Sequence, residues 1–155
     1  MHCVRVAELQ HFRVTLRDDS IAHLQRRGPE YRTVSEVRTA YDDFLKVVDD
    51  WVFETRIRGG HLGTAVRSRF GWLYDLREAP QQRNDDSFEA VIRELRPSLL
   101  KRSPFLCLLV RTATGRMQIS RLIKGTDGAI HIASEEDAAL AWLRQQLAPA
   151  TTSTV

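Results

Sequence analysis

A chain of 155 residues is long enough for one domain with a substantial core, burying roughly 70% of its unfolded surface, and too short for two ordinary ones. Hydrophobic residues make up 43% and charged residues 28%, which excludes wholesale disorder, and no run approaches the about 18 apolar residues of a membrane span. The net charge is +3, with Lys only at 46, 101 and 124 among 23 basic residues. The arginines are spread through segments that also carry acids, whereas a nucleic-acid footprint gathers them on one face, so the pattern argues against a nucleic-acid partner.

The first ten residues carry Arg5 and Glu8 where a secretion leader needs an unbroken apolar core. Cys3 and Cys107 have no spacing of a disulfide framework or a zinc site. The expectation is a cytoplasmic protein, with residues 1–148 as a single domain and 149–155 as a small, polar, frayed tail.

Residues 3–9 are a candidate for a short edge strand. Phe12, Val14 and Leu16 then alternate with polar neighbours, a turn follows over 17–20, and a second strand runs over 21–27 until Gly28 and Pro29 end it. Thr33 followed by Glu36 matches a capping box and predicts a helix start. Val34, Val37, Tyr41, Phe44, Leu45, Val48, Trp51 and Val52 form one apolar stripe through that helix. Asp42, Asp43, Asp49 and Asp50 fall mostly off the stripe, where a solvated face accounts for them better than a metal site does. Residues 55–70 contain no acid, and Arg56, Arg58, Arg67 and Arg69 are interrupted by Gly59, Gly60 and Gly63. The segment lacks the lysine and preceding strand of a phosphate loop, so it is expected to be a solvated connection.

Residues 70–102 are the stretch around which the rest is organised. A nearly continuous apolar strand ends at Asp75, a polar loop follows, and a helix starting within 84–87 places Phe88, Val91, Ile92 and Leu95 on one face. Pro97 removes a helical hydrogen bond, worth about 3 kcal/mol in a continuous helix, and predicts a kink or a restart that buries Leu99 and Leu100. The run FLCLLV at 105–110 has no polar residue, as a strand covered on both faces requires. Segment 116–125 fits a strand through Met117 and Ile119, or a helix through Met117, Leu122 and Ile123 behind a threonine cap. A helix is expected, because a strand directly after Val110 would leave the unit without its crossover. A short strand at 129–133 and a final helix with Leu140, Trp142, Leu143 and Leu147 inward complete the chain, with Ser134 and Asp137 imitating a capping box.

The fold class that emerges is α/β: a mixed, mostly parallel sheet of about five strands flanked by helices, an N-terminal hairpin followed by βα units. With LYDLR at 73–77, NDDSFE at 84–89, LLVRTATGR at 108–116 and SEEDAALAWL at 134–143, the chain resembles the bacterial SpoIIAA-like group of STAS domains over most of its length. The resemblance implies no catalysis, no cofactor, and a role in binding protein partners in regulation or signalling, such as antagonism of an anti-sigma factor with kinase activity. In phosphoregulated members the helix after the central strand begins Asp-Ser-Ser-Gly, with the first serine as phosphoacceptor. Asp86 and Ser87 match the first two positions, and Phe88 and Glu89 stand at the third and fourth. Ser87 is thereby the phosphoacceptor candidate, with helix punctuation as its plainer role. Similarity in topology to lipid-carrying Sec14-type domains implies a second reading, a small apolar ligand, for which Phe44, Trp51, Trp72 and Trp142 are lining candidates against ordinary core packing.

The residues themselves offer no nucleophile and base pair, since His2, His11, His23, His61 and His131 are scattered without a ligand or triad spacing. Asp75 is the candidate special carboxylate, because strand C-termini in open α/β sheets border the ligand crevice; the rival role is to accept amides of the following loop. If the strands ending at Asp75 and Val110 are parallel neighbours, residues 77–87 lie close to 111–116. The candidate interaction surface is then Asp75, Arg77, Asp86, Ser87, Arg111 and Arg116, where helix N-termini and guanidinium groups favour an anion.

Overall fold

The computed structural model describes residues 4–17, 20–58, 70–80, 86–124 and 129–148. They form six strands and four helices: β1 (Val4–Glu8), β2 (Phe12–Arg17), β3 (Ile21–Arg26), α1 (Val34–Arg58), β4 (Gly71–Asp75), α2 (Asp86–Arg102), β5 (Phe105–Leu109), α3 (Ala113–Ile123), β6 (Ala129–Ala133) and α4 (Glu136–Leu147). The sheet order follows the chain order, with β1, β2 and β3 antiparallel and β3 through β6 parallel. The edge strand near the N-terminus and the hairpin after it are therefore present. The basic segment beyond Arg58 and the expected tail at 149–155 lie outside the described residues.

Period-two alternation sorts the strand side chains onto two faces. Phe12, Val14, Leu16, Leu24, Trp72, Leu106 and Leu108 pack with Val37, Tyr41, Phe44 and Val48 of α1 and with Val91 and Leu99 of α2. Ile21, Leu73, Cys107 and Leu109 point the other way and meet Ala139, Leu140 and Leu143 of α4. Strands laid down in one direction with right-handed crossovers keep their connecting helices on one face, which leaves α4 to cover the other. Gly71 lets α4 come close: a Cβ there would lie 2.8 Å from Leu143 Cδ2. Phe44 and Trp72 are fully buried, Trp51 packs edge-on against Phe70, and Trp142 stacks on His131. All four large aromatics are thus used in packing.

Local signals hold with three adjustments. At α1 the Thr33 hydroxyl accepts from Glu36 N at 3.2 Å, but the Glu36 carboxylate accepts from Arg32 N rather than closing back on Thr33. At α4 the N-cap is Glu135, which makes no side-chain cap bond, so Ser134 is not the capping residue. Helical hydrogen bonding runs through Pro97 from Asp86 to Arg102, so no restart occurs. Pro97 is exposed, and water can satisfy the Arg93 carbonyl that the ring deprives of a donor. Of segment 116–125, residues 116–123 are helical, within α3, and Thr112 caps that helix by accepting from Gly115 N at 3.0 Å. The aspartates of α1 are exposed, and Asp49 receives Arg102 Nε at 2.7 Å.

Candidate functional site

The C-terminal ends of β3, β4 and β5 lie side by side, and a cleft of about 880 Å³ opens above them among α1, α2 and α3. Alternation along β4 decides what faces it. Tyr74, and Leu76 just after the strand, turn toward the cleft, while Asp75 between them turns to the opposite face. Tyr41 comes from α1, Phe88 and Ile92 from α2, and Gly115 and Ile119 from α3. Val110 and Arg111 enter from the loop after β5, and Arg26 and Tyr31 from the end of β3 and the loop behind it.

Arg26 is only 5% exposed, and its guanidinium donates to the carbonyls of His11 (3.3 Å), Arg27 and Pro29 (2.9 Å). Its carbon lies 4.1 Å from the Tyr31 ring centroid and 5.9 Å from that of Phe12. Among the described residues it forms no ion pair, so carbonyl dipoles and ring faces are what stabilise the buried charge. The Tyr41 and Tyr74 hydroxyls meet at 3.2 Å, and the Tyr31 hydroxyl is buried without a hydrogen-bond partner among the described residues. Burial raises all three phenols above the usual tyrosine value, so each keeps its proton.

A second polar cluster occupies the opposite face, between the sheet and α4. Asp75, with 0% exposure, is bonded to His23 Nε2 at 2.9 Å and accepts Arg77 N, Nε and a terminal nitrogen at 3.1, 3.0 and 2.9 Å. The same Arg77 terminal nitrogen donates to Glu136 at 2.9 Å. Burial by itself pushes the Asp75 carboxyl up, but the hydrogen bonds from His23 and Arg77 outweigh it and hold the group well below the usual carboxylate range. His23, Asp75 and Glu136 offer ligand atoms within 4.8 Å of one another, a spacing a metal ion could use. Arg77 already supplies positive charge to both carboxylates, so the cluster works as an ionic fastener joining β3, β4 and α4.

The interaction-surface candidates separate in space. Asp75 is closed off from solvent and takes its partners from within the fold, including the amide of the loop that follows. Arg77 is half-buried, tied to Asp75 and Glu136 while bordering the cleft. Arg111 is exposed at the cleft, and Arg116 is exposed on α3. Asp86 and Ser87 are exposed in the first turn of α2. The aromatic candidates named for a pocket do not line the cleft; Tyr31, Tyr41 and Tyr74 do, together with Arg26.

No protein-family model and no curated protein matches the chain. A solved structure that is similar is the crystal structure of an uncharacterised protein of the DUF3478 family with a SpoIIAA-like fold, from Shewanella loihica PV-4. It is 10% identical, with a TM-score of 0.47, over 92% of this chain and 93% of that one.

Proposed function

We propose that this chain is a non-enzymatic binding domain that holds a small amphipathic molecule in its cleft and offers the cleft's rim to a protein partner in regulation or signalling. The cleft carries the reading: about 880 Å³ at the C-terminal ends of parallel strands, in the size range and the position where open α/β sheets take ligands. Its walls are apolar along Leu76, Phe88, Ile92 and Ile119, with Arg26 and the tyrosines as one polar group and Arg111, Thr112, Thr114 and Gln118 as another at the start of α3. Two further observations favour binding over chemistry. The His23 and Asp75 pair is buried and engaged by Arg77, and burial pushes the Cys107 thiol up to about 12, far from a reactive thiolate.

Native mass spectrometry of protein purified without detergent from its own host tests the reading. A bound small molecule that is lost on denaturation is expected. A single mass equal to the bare chain would remove the cleft from function.

The rim supports the partner half of the proposal. Asp86 and Ser87 at the start of α2 and Arg111 and Arg116 near the start of α3 are exposed, and Met117 beside them is 72% exposed. An apolar side chain framed by charges is the composition of a docking patch. A pull-down with the wild-type chain and with Arg116→Glu should recover a partner with the first and lose it with the second. Equal recovery would take α3 out of the interface.

A further inference from the structure

The groups along one wall of the cleft share a bias: they donate hydrogen bonds and carry positive charge. Three phenol hydroxyls, those of Tyr31, Tyr41 and Tyr74, have one hydrogen bond among them, between Tyr41 and Tyr74, in which a single proton is used. Two protons are thus without an acceptor among the described residues. Burial keeps all three phenols protonated, so none can serve as the missing anion. Arg26 beside them is a buried cation with no carboxylate partner among the described residues, and as a guanidinium it only donates. Glu30 also lines the cleft, but it is exposed to water, which screens it, and Arg111 lies on the lining as well. Buried donors without acceptors and buried charge without a counter-ion are both costly, and one group satisfies both: an anion.

We propose that the ligand of this cleft has an anionic head, a carboxylate or a phosphate, seated among Arg26 and the hydroxyls of Tyr31, Tyr41 and Tyr74, and an apolar body lying along Phe88 and Ile92. The proposal rests on the reading of the cleft as a ligand site and adds the chemical class of what it takes. It also accounts for the choice of tyrosine over phenylalanine at three positions along this wall, since the phenol contributes a donor at the tip of an apolar ring.

Calorimetric titration of the full chain with dodecanoate, dodecyl phosphate and dodecanol tests it. At least one of the two anions should bind at least about tenfold tighter than the alcohol, because charge-assisted hydrogen bonds replace neutral ones. Which anion it is identifies the head. Tyr31→Phe should shrink that advantage by about tenfold, the loss of one hydrogen bond to a charged group, without lowering the melting temperature, since the hydroxyl it removes has no hydrogen-bond partner among the described residues. Dodecanol binding as tightly as both anions would overturn the anionic head and leave an apolar cleft in place. Failure of all three to bind would overturn the cleft as a site for such molecules altogether.

Discussion

Arg77 clasps Asp75 from two residues further along the chain, its Nε–H meeting Oδ1 at 3.0 Å and its terminal N–H meeting Oδ2 at 2.9 Å. The two-point match fixes the turn that leaves β4, and the guanidinium's contact with Glu136 ties the same turn to α4. Tyr74 and Leu76 flank Asp75 in the chain, so the fastener on one face of the sheet also sets the edge of the cleft on the other.

Replacing Asp75 by Asn keeps the shape and removes the charge, leaving Arg77 with Glu136 alone. A buried charge pair broken on one side costs on the order of 3 kcal/mol, and urea denaturation at neutral pH should show a loss of that size. The dependence on pH follows from the direction of the shift. The folded-state pKa of Asp75 is depressed, so its contribution is whole above the unfolded value of about 3.9 and declines as the pH falls below it. The stability difference between wild type and Asp75→Asn should therefore narrow on acidification below about pH 4. A difference that stays constant down to about pH 2 would show that the carboxylate's ionisation is not its source.

Leu109 is fully buried in β5, beneath α4 and between β4 and β6. Leu109→Asp places a carboxylate where neither water nor a donor reaches it, and a loss above about 4 kcal/mol is expected. Circular dichroism melts check it: an unchanged midpoint would mean that β5 is not the centre of the sheet.

Gly71 faces α4 so closely that a methyl group would sit 2.8 Å from Leu143 Cδ2, and Leu143 is itself fully buried. Gly71→Ala should cost about 1–3 kcal/mol through overpacking. A melting temperature equal to wild type would mean that Leu143 can adopt another rotamer at no cost.

The fold was legible where one element carries its own signal. The stripe from Val34 to Val52 and the unbroken apolar run of β5 specify a helix and a doubly covered strand because burial on one face or two leaves a periodic trace. The capping boxes were half legible: spacing finds Thr33, but the same spacing at Ser134 misleads, since the cap depends on backbone geometry that places Glu135 there instead. Of the two outcomes Pro97 predicts, a kink or a restart, the restart does not occur. A proline on the exposed side of a helix already held by packing at Val91 and Leu99 costs a bond without ending the helix.

The cleft was far less legible, because it is assembled from several elements and no local spacing marks it. Arg26 is one arginine among many, and only the carbonyls of His11 and Pro29, brought together by the fold, make it a buried cation. Phe44, Trp51, Trp72 and Trp142 take the core-packing role weighed against pocket lining, whereas the phenols are placed where their tips reach a polar wall. The approach of the loops after β4 and β5 was inferred from parallel pairing, and that pairing holds in the register Trp72 to Leu106 through Asp75 to Leu109.

Ser87 separates a switch from helix punctuation. It is exposed in the first turn of α2, within reach of a kinase, and the helix N-terminus would favour a phosphate. Asp86 and Glu89 already place two carboxylates in that turn, and like-charge repulsion opposes a further anion. Ser87→Asp should therefore weaken binding of a partner that docks on this rim, whereas Ser87→Ala should cost at most about 1 kcal/mol of stability and leave binding nearly intact. Titration calorimetry with the purified partner measures both. Equal affinity for the Asp and Ala variants would end any regulatory role for Ser87, and the rim would then bind through α3 and Arg111 without a charge switch.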